Sequence, residues 1–150
     1  MAPWFDKAEA EAVYDYMRSG GWVTEFKKTE ELEQMICQFT GARYAVMTNN
    51  GTVSLILALL ALDIQPGDEI LVPNLTMIAT PNSAVLLGAK PVMIDVDKIN
   101  LCMDLKAAKK SLTKHTKVLI YVALNGRTGN INEVVRFCKD NHLKLIEDAA

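Results

Sequence analysis

Two short segments carry residue types suited to one chemistry. Asn49-Asn50-Gly51-Thr52 joins an extended run to a helical one. A helix starting there exposes its first backbone N–H groups, and these, with the helix dipole and the Thr52 hydroxyl, form a site for an anion such as phosphate. Far along the chain, Leu143-Lys144-Leu145-Ile146 reads as a buried strand that delivers Glu147-Asp148-Ala149-Ala150. An acidic residue at the carboxyl end of a parallel strand sits where open α/β sheets bind ligands. A partly desolvated carboxylate at Asp148 needs a cationic partner or several donors. A protonated pyridinium nitrogen is one such partner, because the carboxylate keeps that ring an electron sink. Each segment also has a plainer reading in isolation: Asn-Gly as a tight turn with Thr52 as a cap, and Asp148 as a cap for the next element.

Other chemistries find less support. The Asn50-Gly51-Thr52 segment is neither G-x-G-x-x-G nor a Walker loop, which disfavours a dinucleotide site and a P-loop nucleotidase. His115 and His142 have no metal-ligand spacing and no nucleophile beside them, so they read as surface residues and no metal is expected. Cys37, Cys102 and Cys138 are odd in number and widely spaced, which points to buried free thiols rather than disulfides or a zinc site. The lysines at 106, 109, 110, 114 and 117 read as a solvated helix face with its loop. A formal net charge of -2, from 16 basic and 18 acidic residues spread along the chain, provides no basic stripe for nucleic acid. The longest apolar runs, such as 53–62, are too short to span a bilayer, and the start Met1-Ala2-Pro3-Trp4-Phe5-Asp6 lacks the regions of a signal peptide. No membrane partner and a cytoplasmic location are therefore expected.

The elements that must position these residues follow from periodicity. Asp6 and Glu9 resemble a capping box for a first helix, which Ser19-Gly20-Gly21 ends. Residues 22–26 read as an irregular linker. Thr29 is the expected cap of a second helix whose Leu32, Ile36 and Phe39 share a face before Gly41 ends it. From Arg43 the rhythm changes. Strands are expected at 44–47, 69–72, 91–94, 118–122 and 143–146, alternating with helices at 52–62, 76–87, 105–112 and 130–141. Short, nearly continuous apolar strands between helices describe an α/β fold whose mainly parallel sheet is covered by helices on both faces. With 150 residues, half of them apolar, the chain has enough sequence for one such domain. The expected division is a helical arm over 1–42 and an α/β domain over 43–150. The loops Asn74-Leu75-Thr76-Met77 and 122–127 follow strands and should open onto the same crevice as Gly51 and Asp148. Taken singly, Met77 has a plainer reading as core filling, Asn125-Gly126 as a turn and Arg127 as a surface charge.

Taken together, Ser19-Gly20-Gly21-Trp22-Val23-Thr24, Asn50-Gly51-Thr52-Val53-Ser54-Leu55, Pro66-Gly67-Asp68-Glu69-Ile70, Pro73-Asn74-Leu75-Thr76, Gly88-Ala89-Lys90-Pro91-Val92 and Ile146-Glu147-Asp148-Ala149-Ala150 resemble the N-terminal portion of the DegT/DnrJ/EryC1/StrS sugar aminotransferases. These are fold-type I pyridoxal phosphate enzymes, and the resemblance covers nearly the whole chain. It implies part of a pyridoxal phosphate-binding large domain, with the rest of that domain and a small C-terminal domain outside this sequence. It also implies that Gly51 and Thr52 bind the cofactor phosphate, that Asp148 holds the pyridine nitrogen, and that Ala150 and Met77 lie against the two faces of the ring. Thr24 and Asn125 are placed toward the substrate. Most relatives carry an aromatic ring or histidine where Met77 stands, so softer sulfur and aliphatic contact replaces stacking here. Ala123, Asn125 and Arg127 stand where the family commonly has a His, an aromatic residue and often Gln.

The blocks around Trp22 and Asn50 look most like the perosamine and viosamine synthase branch. That likeness implies transfer of an amino group from glutamate to a nucleotide-linked keto-deoxysugar, with 4-keto-6-deoxy as the expected type, by a homodimer. In the family a Schiff-base lysine follows the Asp148 motif by a few dozen residues, and no lysine of this sequence matches its motif. The 150 residues alone are accordingly expected to be inactive. Two other readings stand beside this one: a truncated relative that binds or regulates without turnover, and a sugar dehydratase of the same family in which histidine replaces the lysine.

Overall fold

The computed structural model describes residues 4–22, 24 and 27–150, which divide into two compact units, Met1–Met47 and Thr48–Ala150. In the first unit, helix α1 (Lys7–Arg18) opens on the expected capping box. Asp6 Oδ1 accepts from Ala8 N–H at 2.7 Å, and Glu9 Oε2 accepts from Asp6 N–H at 2.8 Å. Helix α2 (Lys27–Thr40) begins earlier than expected, so Thr29 lies inside its first turn and is not its cap. Gly41 ends α2 in the left-handed region, with φ +75° and its N–H on the Cys37 carbonyl. Neither helix buries a side chain, and Phe39 is 92% exposed. Of the linker, Val23, Glu25 and Phe26 lie outside the described residues.

The strand expected at 44–47 is not formed. Its run of apolar residues is present, but no neighbouring backbone pairs with it among the described residues. Tyr44 and Val46 face water, and the Met47 N–H goes to the Glu33 carboxylate at 2.7 Å rather than to a ladder. A β pattern without a partner leaves its main-chain groups to other acceptors.

The second unit is α/β. Helix α3 (Gly51–Ala61) precedes strand β1 (Glu69–Pro73), followed by α4 (Ala79–Leu86), β2 (Lys90–Ile94), α5 (Leu105–Lys110), β3 (Thr116–Val122), a short 3-10 turn (Leu124–Gly126), α6 (Ile131–Asp140) and β4 (Lys144–Asp148). The four strands are parallel, in the order β2-β1-β3-β4. Side chains alternate across the pleat. Ile70, Val72, Val118, Ile120 and Val122 therefore pack on Leu55 and Leu59 of α3 and Ala84 of α4. Leu71, Leu119 and Tyr121 face the other way, onto Ala108 of α5 and Val134 and Cys138 of α6. Helices thus cover both faces, and two apolar layers hold the sheet by area burial. Cys102 and Cys138 are buried free thiols and Cys37 is half-buried; burial pushes the Cys138 thiol up to about 11.

At the N-terminal ends of the strands, Glu69 is buried in a polar clasp. It accepts from Thr113 Oγ1 at 2.6 Å and from Lys90 Nζ at 3.0 Å. The Thr113 hydroxyl, then Lys90, hold its carboxyl below the usual glutamate value of 4.5. Because the folded value is the lower one, this contribution to stability is complete above the unfolded value and is lost as pH falls through the folded value. Glu69→Gln should cost roughly 1 kcal/mol at neutral pH, most of it from the Thr113 hydroxyl, since the Lys90 end is exposed. Urea titrations at pH 7 and below pH 4.5 should show a smaller gap between wild type and variant at the acid end; an unchanged gap would refute the assignment.

Candidate functional site

The order of the sheet places the site. From β1 the chain passes through α4 to β2 on one side, and then through α5 to β3 on the other side of β1. Connections that leave in opposite directions open a crevice beyond the carboxyl ends of β1 and β3, the usual ligand position in such sheets. A cleft of about 250 Å³ lies there. Gly51, Thr52 and Leu55 of α3, Thr76, Met77 and Ala79 after β1, Val122 and Leu124 at the end of β3, and Asp148 and Ala150 at the end of β4 line it.

The α3 wall follows from local chemistry. Asn50 adopts an extended conformation and caps the helix, its Oδ1 accepting from the Val53 N–H at 2.9 Å. Thr48 and Ser54 hydroxyls meet at 2.6 Å across the same turn, and both also reach the Asn50 carbonyl. Asn50, not Thr52, is therefore the cap, and the Thr52 hydroxyl has no partner among the described residues. No partner is found for the Gly51 and Thr52 N–H groups among the described residues. Gly51 has no positive φ, and a Cβ built on it would meet nothing within 4 Å. Its backbone does not need glycine for the turn; a missing side chain here leaves open space beside two free donors. Two amides at a helix start, a hydroxyl and an unfilled space form a donor set that fits a phosphate dianion.

The opposite wall carries Asp148, the last residue of β4, whose carbonyl accepts from the Ala123 N–H at 2.9 Å and so fixes the main chain. The side chain is half-buried. Its Oδ2 accepts from Thr80 Oγ1 at 3.1 Å and its Oδ1 from the Ala150 N–H at 3.3 Å. Two donors leave further acceptor capacity on this carboxylate. Met77 is 72% exposed and lines the cleft, outside the two apolar layers of this unit. Leu55, Val122 and Leu124 supply apolar walls. Phosphate donors, an acceptor for a ring nitrogen and apolar walls between them are the features a phosphorylated pyridine would use. The residues present fit pyridoxal phosphate.

Gly51, Thr52, Met77, Asp148 and Ala150 thus come together in one cleft. Asn125 does not line it. Asn125 is exposed in the 3-10 turn, with φ 53°. Thr24 lies in the other unit, exposed in a turn. Arg127 is exposed, and its carbonyl takes a hydrogen bond from Cys102 Sγ. His115 and His142 are exposed. Among the described residues no cluster of potential metal ligands is found, and no helix is long and apolar enough to cross a membrane.

One residue of the site has no local signature in the sequence. Thr80 is fully buried on α4, and its hydroxyl joins Thr76 Oγ1 at 2.9 Å to Asp148. The available signal is a pair of hydroxyls four residues apart, Thr76 just before α4 and Thr80 in its first turn, which is indistinguishable from ordinary helix packing until β4 is placed beside it.

The model of the DegT/DnrJ/EryC1/StrS aminotransferase family matches residues 3–150. The chain is 39% identical over 148 residues to the UDP-4-amino-4-deoxy-L-arabinose--oxoglutarate aminotransferase of Shewanella sediminis (strain HAW-EB3), covering 99% of this chain and 38% of that protein. Among solved structures, S. venezuelae DesV in complex with a ketimine intermediate superposes with a TM-score of 0.90 at 29% identity, over 96% of this chain and 39% of that one. The GDP-4-keto-6-deoxy-D-mannose-3-dehydratase of E. coli with bound hydrated PLP superposes with a TM-score of 0.89 at 25% identity, over 99% of this chain and 40% of that one. The chain spans about two fifths of the length of these relatives.

Proposed function

Because this chain belongs to the DegT/DnrJ/EryC1/StrS aminotransferase family, we propose that it forms part of a pyridoxal phosphate-dependent enzyme that moves an amino group from glutamate to a nucleotide-linked keto-deoxysugar. The observation that carries this reading is the convergence of Gly51, Thr52, Met77, Asp148 and Ala150, from separate segments, on one cleft. The bound cofactor supplies an electron sink and a carrier for the amino group. The α3 amides and the Thr52 hydroxyl bind its phosphate at the positive end of the helix dipole. Asp148 holds a proton on the pyridine nitrogen by pairing with it as a carboxylate. Met77 and Ala150 confine the ring, while Leu55, Val122 and Leu124 keep water from its apolar edge. No lysine lines the cleft among the described residues, so the reading assigns the Schiff-base lysine to sequence outside residues 1–150 and expects these residues alone to be inactive.

Glutamate as donor and a sugar as acceptor are supported by the name of the Shewanella relative, which pairs an amino sugar with oxoglutarate. A 4-keto-6-deoxy sugar and a cytoplasmic homodimer follow from the branch resemblance. The test is stepwise. Full-length protein loaded with pyridoxal phosphate should release 2-oxoglutarate from glutamate, and then convert a nucleotide-linked 4-keto-6-deoxy sugar to an amine by mass spectrometry. Failure to release 2-oxoglutarate would overturn the reading. A product that has lost water instead of gaining nitrogen would favour a dehydratase, the activity of the E. coli relative.

A further inference from the structure

We infer that Thr80 is a positioning residue for Asp148, and that Thr76, Thr80 and Asp148 form a directional hydroxyl chain that sets the carboxylate toward the cofactor ring; this rests on the pyridoxal phosphate reading above. Thr80 is fully buried, where an unbonded hydroxyl would be costly. A threonine within a helix commonly turns its hydroxyl onto the carbonyl four residues back. Thr80 instead sends its proton across to Asp148 Oδ2 at 3.1 Å, joining α4 to β4 over 68 residues of sequence. A hydroxyl has one proton to donate. With that proton committed to Asp148, the 2.9 Å contact between the threonines must run from Thr76 Oγ1 to Thr80 Oγ1. Each donation polarises the next, so the two bonds reinforce one another in a low-dielectric setting.

The placement of the chain explains its use. Thr76 lines the cleft immediately before Met77, and Asp148 lines it from the end of β4. The loop bearing a ring-facing residue and the strand bearing the nitrogen partner are therefore joined through one buried hydroxyl. Thr80 is not among the residues that line the cleft, and it acts through Asp148. Its bond to Oδ2, with the Ala150 N–H on Oδ1, restricts rotation of a half-buried carboxylate that would otherwise follow water.

Binding of pyridoxal phosphate to the full-length protein, measured by equilibrium dialysis, tests this without turnover. Thr80→Val keeps the shape and removes the hydroxyl; it should weaken binding roughly tenfold or more, the effect of a lost hydrogen bond to a charged group. Thr80→Ser should restore affinity to within about twofold, as the hydroxyl returns. In an Asp148→Ala background, Thr80→Val should change affinity less than about twofold, because the group it positions is gone. A packing role for Thr80 would lower affinity equally in both backgrounds, and that result would overturn the inference. Should Thr80→Val fail to fold, Thr76→Val takes its place with an expected weakening of about threefold, and unchanged affinity there is equally contrary. If wild-type protein does not bind pyridoxal phosphate, the underlying reading fails. If wild type binds and Thr80→Val binds as well, only the positioning role fails.

Discussion

Replacing Asp148 with Asn in the full-length protein should lower transamination on the order of 10²–10³-fold while leaving the fold intact, because truncating one partner of a hydrogen-bonded charge pair costs roughly 2–5 kcal/mol and each 1.4 kcal/mol is tenfold. The substitution preserves shape and keeps an oxygen for Thr80. It removes the negative charge that favours a protonated ring nitrogen, and it can present an N–H where an acceptor is needed. The main-chain bond from the Ala123 N–H to the residue 148 carbonyl is untouched, and the side chain is only half-buried. Thermal unfolding should therefore shift little while turnover collapses. Equal turnover would remove Asp148 from its assigned role; equal losses of stability and activity would make it a structural residue.

Gly129→Ala should be the most damaging small substitution in the α/β unit, at roughly 2–4 kcal/mol from a left-handed residue with a side chain plus an overpacked contact. Gly129 has φ +52°, and a Cβ there would lie 2.6 Å from the Tyr121 hydroxyl and 3.3 Å from Cys102 Sγ. Tyr121 cannot yield, since it is 1% exposed in the layer beneath α5 and α6 and donates to the Thr128 carbonyl at 2.7 Å. Burial, reinforced by Cys102, raises the phenol well above its usual range, so the hydroxyl stays a donor at every ordinary pH. Gly51→Ala provides the contrast, with open space and no positive φ. Denaturation should show Gly129→Ala strongly destabilised and Gly51→Ala near wild type, while pyridoxal phosphate binding shows the reverse ranking. Equal stability of the two variants would contradict this account of Gly129.

These contrasts mark what was legible in the sequence. Local patterns were: the Asp6–Glu9 capping box, the helix stop at Gly41, and the apolar run that makes Glu69–Pro73 a strand buried on both faces all depend on neighbours a few residues away. Asp148 and Gly51 were legible as strand and helix termini, and the switch in strand order turned proximity in type into proximity in space. Features decided by distant partners were not. The 44–47 segment has the apolar composition of a strand without a neighbour, and Thr29 has the type of a cap at a helix that begins before it. Glu69 and Thr113 are 44 residues apart, and Thr80 and Asp148 are 68 apart. Gly129 owes its necessity to Tyr121, which no spacing rule connects to it.

A crystal structure of the full-length protein with pyridoxal phosphate bound tests the central claim most directly. The account predicts the phosphate on the Gly51 and Thr52 amides, the pyridine nitrogen within hydrogen-bond distance of an Asp148 carboxylate oxygen, about 3 Å, and the ring between Met77 and Ala150. A cofactor bound elsewhere, or a ring nitrogen turned away from Asp148, would contradict it.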